Sequence, residues 1–178
     1  MIKEIRIAGS GGQGIIMSGY LLGMAATIYD NKIATQTQSY GPEARGGASK
    51  TEVIISDDNI YYPYVQMADI FVSLSQPAYD KYRRDVKRDS LTFIDPIFVR
   101  PSREGCISIS ATQEAISLGS KIVANIIMLS AVASITDVVK MPSLEKSIAQ
   151  TIDKRFLDIN IKAMQIGSEI GKTISEEM

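Results

Sequence analysis

Within its first fourteen residues the chain places Gly9-Ser10-Gly11-Gly12-Gln13-Gly14 directly after a short strand-like run at 3–8, in which charges alternate with apolar residues, and directly before an apolar segment that continues to about residue 29. This is the pattern of a strand, a tight glycine turn and a helix, the opening unit of a sheet whose strands are joined by helices. The alternation continues. Residues 32–38 are predicted as a second strand, 39–47 as a loop and 51–56 as a third strand. Residues 68–75 form a continuous apolar run of the kind that lies in a sheet covered on both faces, and 91–95 repeat it. Between those strands, 76–88 are predicted as one helix opening at Pro77, a residue that fits a first helical turn. A short strand at 106–110 is followed by helices at 112–118, 121–135, 143–152 and 156–174. Alternation first and helices last predict a single α/β domain over residues 1–178, a three-layer α/β/α sandwich with a mostly parallel or mixed central sheet.

Gly9, Gly11 and Gly14 satisfy the G-x-G-x-x-G spacing, which lets backbone approach a phosphate and aims helix N–H groups at negative charge. A dinucleotide site also needs an acid at the end of the second strand to hold ribose hydroxyls, and Ile33-Ala34-Thr35-Gln36-Thr37-Gln38 has none. Two other readings stand beside that one: a purely structural turn, or a turn that shows its amides to a partner's cofactor or an anionic cosubstrate.

Composition excludes much chemistry. The chain has one cysteine, Cys106, and no histidine. An iron–sulfur cluster, a structural zinc and a His-based triad all need donors or bases that this inventory lacks. Cys106 itself reads as a small buried hydrophobe. With 19 basic and 20 acidic residues the net charge is −1, which gives no overall attraction to nucleic acid or to an anionic membrane. The N-terminus shows no apolar core of a signal peptide, and the apolar run at 122–135 is shorter than the roughly 20 residues a bilayer requires, so a cytoplasmic protein is expected.

The loop Tyr40-Gly41-Pro42-Glu43-Ala44-Arg45-Gly46-Gly47 sets an aromatic, an acid and a guanidinium among backbone-special residues. A surface Glu43–Arg45 pair would contribute only about 0–1 kcal/mol. A loop that docks into a partner, with Arg45 offered to a carboxylate or phosphate, accounts better for this composition. Asn125 sits in an otherwise apolar helical run, so its amide needs a partner if buried; capping or bracing a nearby loop is its expected role. Lys81, Arg83, Arg84, Lys87 and Arg88 read as a solvated helical face, or as a dock for an acidic partner or a phosphorylated cosubstrate. Tyr61, Tyr62 and Tyr64 are an expected interface patch.

The glycine cluster, from Ile5 to Gly14, followed by the run from Ser39 to Ser49, resembles the gamma subunit of the 2-oxoacid:ferredoxin oxidoreductases, most closely its 2-oxoglutarate branch. The pyruvate, 2-oxoisovalerate and indolepyruvate enzymes have similar chains. The resemblance extends to Ala124–Ala131, with Ser130 where a glycine is usual, a change expected to loosen a close helix contact. It implies a subunit of an enzyme that decarboxylates a 2-oxoacid oxidatively with coenzyme A and passes electrons to ferredoxin. Thiamine diphosphate and iron–sulfur clusters are then carried by alpha, beta and delta partners, with no cofactor bound by this chain alone and the isolated chain inactive. Gly9, Gly11, Gly12, Gln13, Gly14, Tyr40, Glu43, Arg45 and Asn125 are the candidate cofactor-facing residues; no catalytic or metal-binding residue is expected. The alternative is a free-standing nucleotide- or coenzyme A-binding module.

Overall fold

A computed structural model of the chain describes residues 1–40, 48–102 and 104–178. Strands β1 (Ile2–Ser10), β2 (Ile33–Ser39), β3 (Ala48–Ser56), β4 (Ala68–Ser73), β5 (Val86–Ile94) and β6 (Cys106–Ser108) form one sheet in the order β2-β3-β1-β4-β5-β6. β3 is antiparallel to both neighbours, whereas β1, β4, β5 and β6 pair in parallel. Helices α1 (Ile15–Met24), α3 (Ala111–Ser117), α4 (Ala124–Thr136), α5 (Met141–Thr151) and α6 (Lys154–Glu177) gather over one face, and α2 (Gln76–Tyr82) lies on the other. The expected sandwich with a mixed sheet is therefore what forms, with unequal outer layers.

Side-chain alternation along β1 explains how one strand serves both layers. Ile5 and Ile7 enter the large core with Val53, Val72 and Phe93, while Ala8 joins Phe71 and Tyr79 on the α2 face. Arg6 points to that second face too and is only 3% exposed. Its guanidinium is held by Glu52, its direct cross-strand partner, at 2.7 Å and by the carbonyls of Asp85 at 2.7 Å and Val65 at 3.1 Å. Lys50 reaches the same Glu52 oxygen at 2.8 Å. A charge this deep is tolerated because its donors are met by matched acceptors.

The helix predicted at 76–88 is shorter and is followed by a strand. Ser75 caps α2 by accepting from Ala78 N at 3.4 Å, and the helix ends at Tyr82. Asp85 N turns back to Tyr82 O at 3.0 Å, and β5 starts at Val86, paired with Ala68. The basic cluster is thus not one helical face: Lys81 is on α2, Arg83 and Arg84 are in the turn, and Lys87 and Arg88 are on β5. Lys87 joins Glu4 and Asp69, each at 2.9 Å. Partial burial would lower its ammonium pKa, but hydrogen bonds to these two carboxylates outweigh that and raise it above the ordinary lysine value.

Ser130 does not loosen the helix layer. It is fully buried on α4 and donates to Ile126 O at 2.7 Å. The close approach is made from the other side, by Gly167 of α6, where a Cβ would overlap the Ile127 carbonyl and sit 2.9 Å from Ser130 Cβ. Among the described residues no helix is long and apolar enough to cross a membrane.

Candidate functional site

Because β1, β4, β5 and β6 are parallel, their C-terminal ends lie along one edge of the sheet. From β1 the chain leaves through α1 on one face, and from β4 through α2 on the other, so the sheet's connections diverge between these two adjacent strands. A crevice outside such a divergence is where open α/β sheets place ligands. The glycine turn occupies it.

Gln13 ties the turn together. Its side-chain oxygen accepts from Ser10 N at 2.6 Å, and its amide nitrogen donates to Leu74 O at 2.7 Å, just past the end of β4. A Cβ on Gly9 would lie 2.6 Å from that same Gln13 oxygen and 2.7 Å from Ile15 Cδ1, so it would push aside the side chain that ties the turn. Gly14 precedes α1 with φ 71°, a left-handed backbone. A Cβ there would overlap the Asn125 amide, with Cγ at 2.7 Å. Gly11 has no such constraint: nothing lies within 4 Å of its Cβ position. Close side-chain contacts therefore account for Gly9, and contact together with a left-handed backbone for Gly14, which leaves Gly11 as an open, exposed stretch of main chain.

Asn125 opens α4, is 7% exposed, and approaches Gly14 O with its amide at 3.4 Å, so it braces the turn as expected. Together with Gly12, Gln13, Leu74, Phe98, Thr112, Lys121, Ile122 and Ala124 it lines a pocket of about 220 Å³. The wall is largely apolar, with one cation at its border. Behind it, Asp95 at the end of β5 is wholly buried and accepts from Thr112 N at 2.8 Å and Ile97 N at 3.0 Å, fixing α3 to the strand end. Leu74, Phe98, Thr112 and Lys121 were not singled out from the sequence. The signal available was position, since each follows a strand or opens a helix at this edge.

On the other side of the turn a second pocket of about 200 Å³ is lined by Ser10, Gly11, Gly12, Gly14, Ile15, Ile16, Met17, Tyr40 and Ser49. Tyr40 is 67% exposed. Ser10 pairs with Ala48, so Tyr40 and Ala48 both lie beside the glycine turn. Glu43 and Arg45 lie outside the described residues.

A dinucleotide arrangement does not fit this sheet. The strand that should hold the ribose, β2, is separated from β1 by the antiparallel β3 and carries no acid. Nor do the described residues contain a cluster of three or more His, Cys, Asp or Glu able to hold a metal ion. Cys106 is half-buried on β6, 3.9 Å from the Tyr79 hydroxyl. Tyr61, Tyr62 and Tyr64 are exposed at 92%, 56% and 55%, on the far side of β1 from the glycine turn, beside Ile2 and Glu4.

The profile of the pyruvate ferredoxin/flavodoxin oxidoreductase family matches residues 4–170. The chain belongs to this family. A relative within it, the 2-oxoglutarate synthase subunit KorC of Methanocaldococcus jannaschii, is 46% identical, with 98% of this chain and 96% of that protein aligned. The pyruvate synthase subunit PorC of Methanothermobacter marburgensis is 30% identical, over 93% and 96% of the two chains. The crystal structure of the keto/oxoacid ferredoxin oxidoreductase gamma subunit of Geobacter sulfurreducens superposes with a TM-score of 0.87 at 38% identity, covering 97% of this chain and 98% of that one. The family's gamma-subunit fold is thus the fold of this chain along its length.

Proposed function

We propose that this chain is the gamma subunit of a 2-oxoglutarate:ferredoxin oxidoreductase, and that its glycine-turn edge completes an active-site assembly made with alpha and beta subunits. The identity of 46% to a 2-oxoglutarate synthase subunit, against 30% to a pyruvate synthase subunit of like length, carries the choice of substrate. In the overall reaction 2-oxoglutarate, coenzyme A and two oxidised ferredoxins give succinyl-CoA, carbon dioxide, two reduced ferredoxins and the proton released from the coenzyme A thiol. Thiamine diphosphate supplies the carbanion chemistry when bound in the partner subunits, and iron–sulfur clusters carry the electrons; one cysteine and no histidine leave no donor set for a cluster here.

What this chain's residues contribute is shape and backbone. Gly11 and Gly12 present exposed main chain, Gln13 and Asn125 hold it in place, and Tyr40 lines the pocket beside it. The complex works in the cytoplasm, as one gamma domain docked on its partners.

Reconstitution tests this. With alpha, beta and delta partners, thiamine diphosphate and coenzyme A, ferredoxin reduction is measured with 2-oxoglutarate, pyruvate, 2-oxoisovalerate and indolepyruvate, with and without this chain. Full turnover in its absence, or a preference for pyruvate, sinks the proposal. Titration of the isolated chain with NAD, FAD, ATP and coenzyme A separates off the free-standing module, which must bind one of them alone.

A further inference from the structure

Away from the glycine-turn edge, one part of the surface is distinguished by what it lacks. Residues 7–29 contain no charged side chain, and neither do residues 33–40, in a chain with 19 basic and 20 acidic residues. These two neutral segments meet at one edge of the molecule. Between α1, with the π turn Ala25–Tyr29 that prolongs it, and β2 lies a groove of about 310 Å³ lined by Tyr20, Gly23, Met24, Ile28, Ala34 and Gln36 among others. Tyr20 is 50% and Ile28 63% exposed, and Gly23 has open space where a side chain would be.

β2 is also the terminal strand of the sheet. Native edges are protected by short length, a bulge, proline or charge, above all lysine. The opposite edge, β6, is protected by its length of three residues. β2 has none of these devices: it runs seven residues, pairs with β3 in unbroken register, and contains neither proline nor charge. Its outer row of backbone N–H and C=O groups has no strand partner among the described residues.

We propose that this edge is a two-fold interface with a second copy of this chain, in which β2 pairs antiparallel with its counterpart and the groove receives an apolar side chain from the α1 region of the other copy. Charge selects this occupant. At a two-fold axis every residue faces its own kind, so any charge near the axis meets the same charge. A neutral helix face beside a neutral strand avoids that repulsion, whereas an opposite-charge partner would find nothing here to recognise. Register agrees. Pairing centred on Gln36 sets Thr35 against Thr37 and Ala34 against Gln38 of the copy, with no like charges opposed and the Thr and Gln pairs able to hydrogen-bond.

The test uses the full chain. Size-exclusion chromatography with light scattering, over about 1 to 100 μM, should give the mass of two chains at the upper concentrations. Tyr20→Lys and Ile28→Lys should each raise the dissociation constant at least about tenfold, because each sets a charge beside its own copy, whereas Tyr61→Lys on the distant tyrosine patch should leave it unchanged. Circular dichroism checks that the variants fold. Hydrogen exchange needs no variant: amides of Ile33–Ser39 should gain protection as concentration rises. A wild-type chain that stays monomeric at the highest concentration overturns the proposal, as does a dimer indifferent to both lysines. A monomer whose capture of the other subunits is weakened by Tyr20→Lys gives the edge to a different subunit, and overturns it too.

Discussion

Gly14→Ala should destabilise the chain through one named neighbour. Two costs combine at this position. A side chain at φ 71° is in the left-handed region, which costs about 1–2 kcal/mol for a residue other than glycine. The new methyl would also overlap the Asn125 amide, with Cγ at 2.7 Å, and Asn125 is 7% exposed on a packed helix with little room to turn away. Displacing it forfeits its approach to Gly14 O, adding about 0.5–1.5 kcal/mol. The single variant is therefore expected to lose about 2–3 kcal/mol. In an Asn125→Ala background the overlap is gone and only the backbone strain of about 1–2 kcal/mol remains. Urea unfolding of the four proteins of this cycle, with matching m-values, measures the difference. A coupling of about 1 kcal/mol is expected. Strict additivity would mean that the turn and α4 do not meet as described, and the pocket built between them would lose its wall.

Arg6→Met should cost about 3–5 kcal/mol in urea unfolding, because it leaves Glu52 buried with only Lys50 for company, whereas Arg6→Met with Glu52→Leu should recover most of the loss. Asp95→Ala orphans the N–H groups of Ile97 and Thr112 and should cost about 2–3 kcal/mol, with faster hydrogen exchange at the start of α3. Lys87 has a raised folded-state pKa, so its contribution is complete below the unfolded lysine value of about 10.4 and is lost as pH climbs through the folded value above it. With Lys87 more than a third exposed, that alkaline loss should stay under about 1 kcal/mol and be missing from Lys87→Met, as thermal melts at pH 8 to 11.5 would show. Elemental analysis of the isolated chain should find neither iron nor zinc in stoichiometric amount, since one cysteine and no histidine cannot form an ordinary site for either.

The β1–turn–α1 unit was readable because glycine spacing and apolar periodicity are local properties, and the four C-terminal helices were readable for the same reason. Of the helix read from pattern over 76–88, only the part to Tyr82 forms; residues 83–88 are turn and strand. The interspersed charges suit a solvated helix, and what makes Val86–Arg88 strand instead is distant in sequence: pairing of Val86 with Ala68, and carboxylates from β1 and β4 that hold Lys87. The insertion of β3 between β1 and β2 was equally invisible, since strand order is fixed by contacts and not by pattern. Candidate residues came from motifs, which identified the glycine turn and Tyr40. The pocket's remaining wall comes from Leu74, Phe98, Thr112 and Lys121, ordinary residues made relevant only by the strand ends they follow or the helices they open.

The pair of bare positions on α6 has a reach beyond its own contact. Gly167 and Gly171 let α6 lie against α4 so closely that a Cβ at either would strike α4 backbone, at the Ile127 and Ala131 carbonyls. The same α4 carries Asn125 in its first turn, two residues before Ile127. One methyl group at Gly167 would act as a wedge: to make room, α4 must shift or tilt, and Asn125 shifts with it against the glycine turn. The dimensions of the pocket are set from behind, by the absence of two side chains on a helix that does not line it.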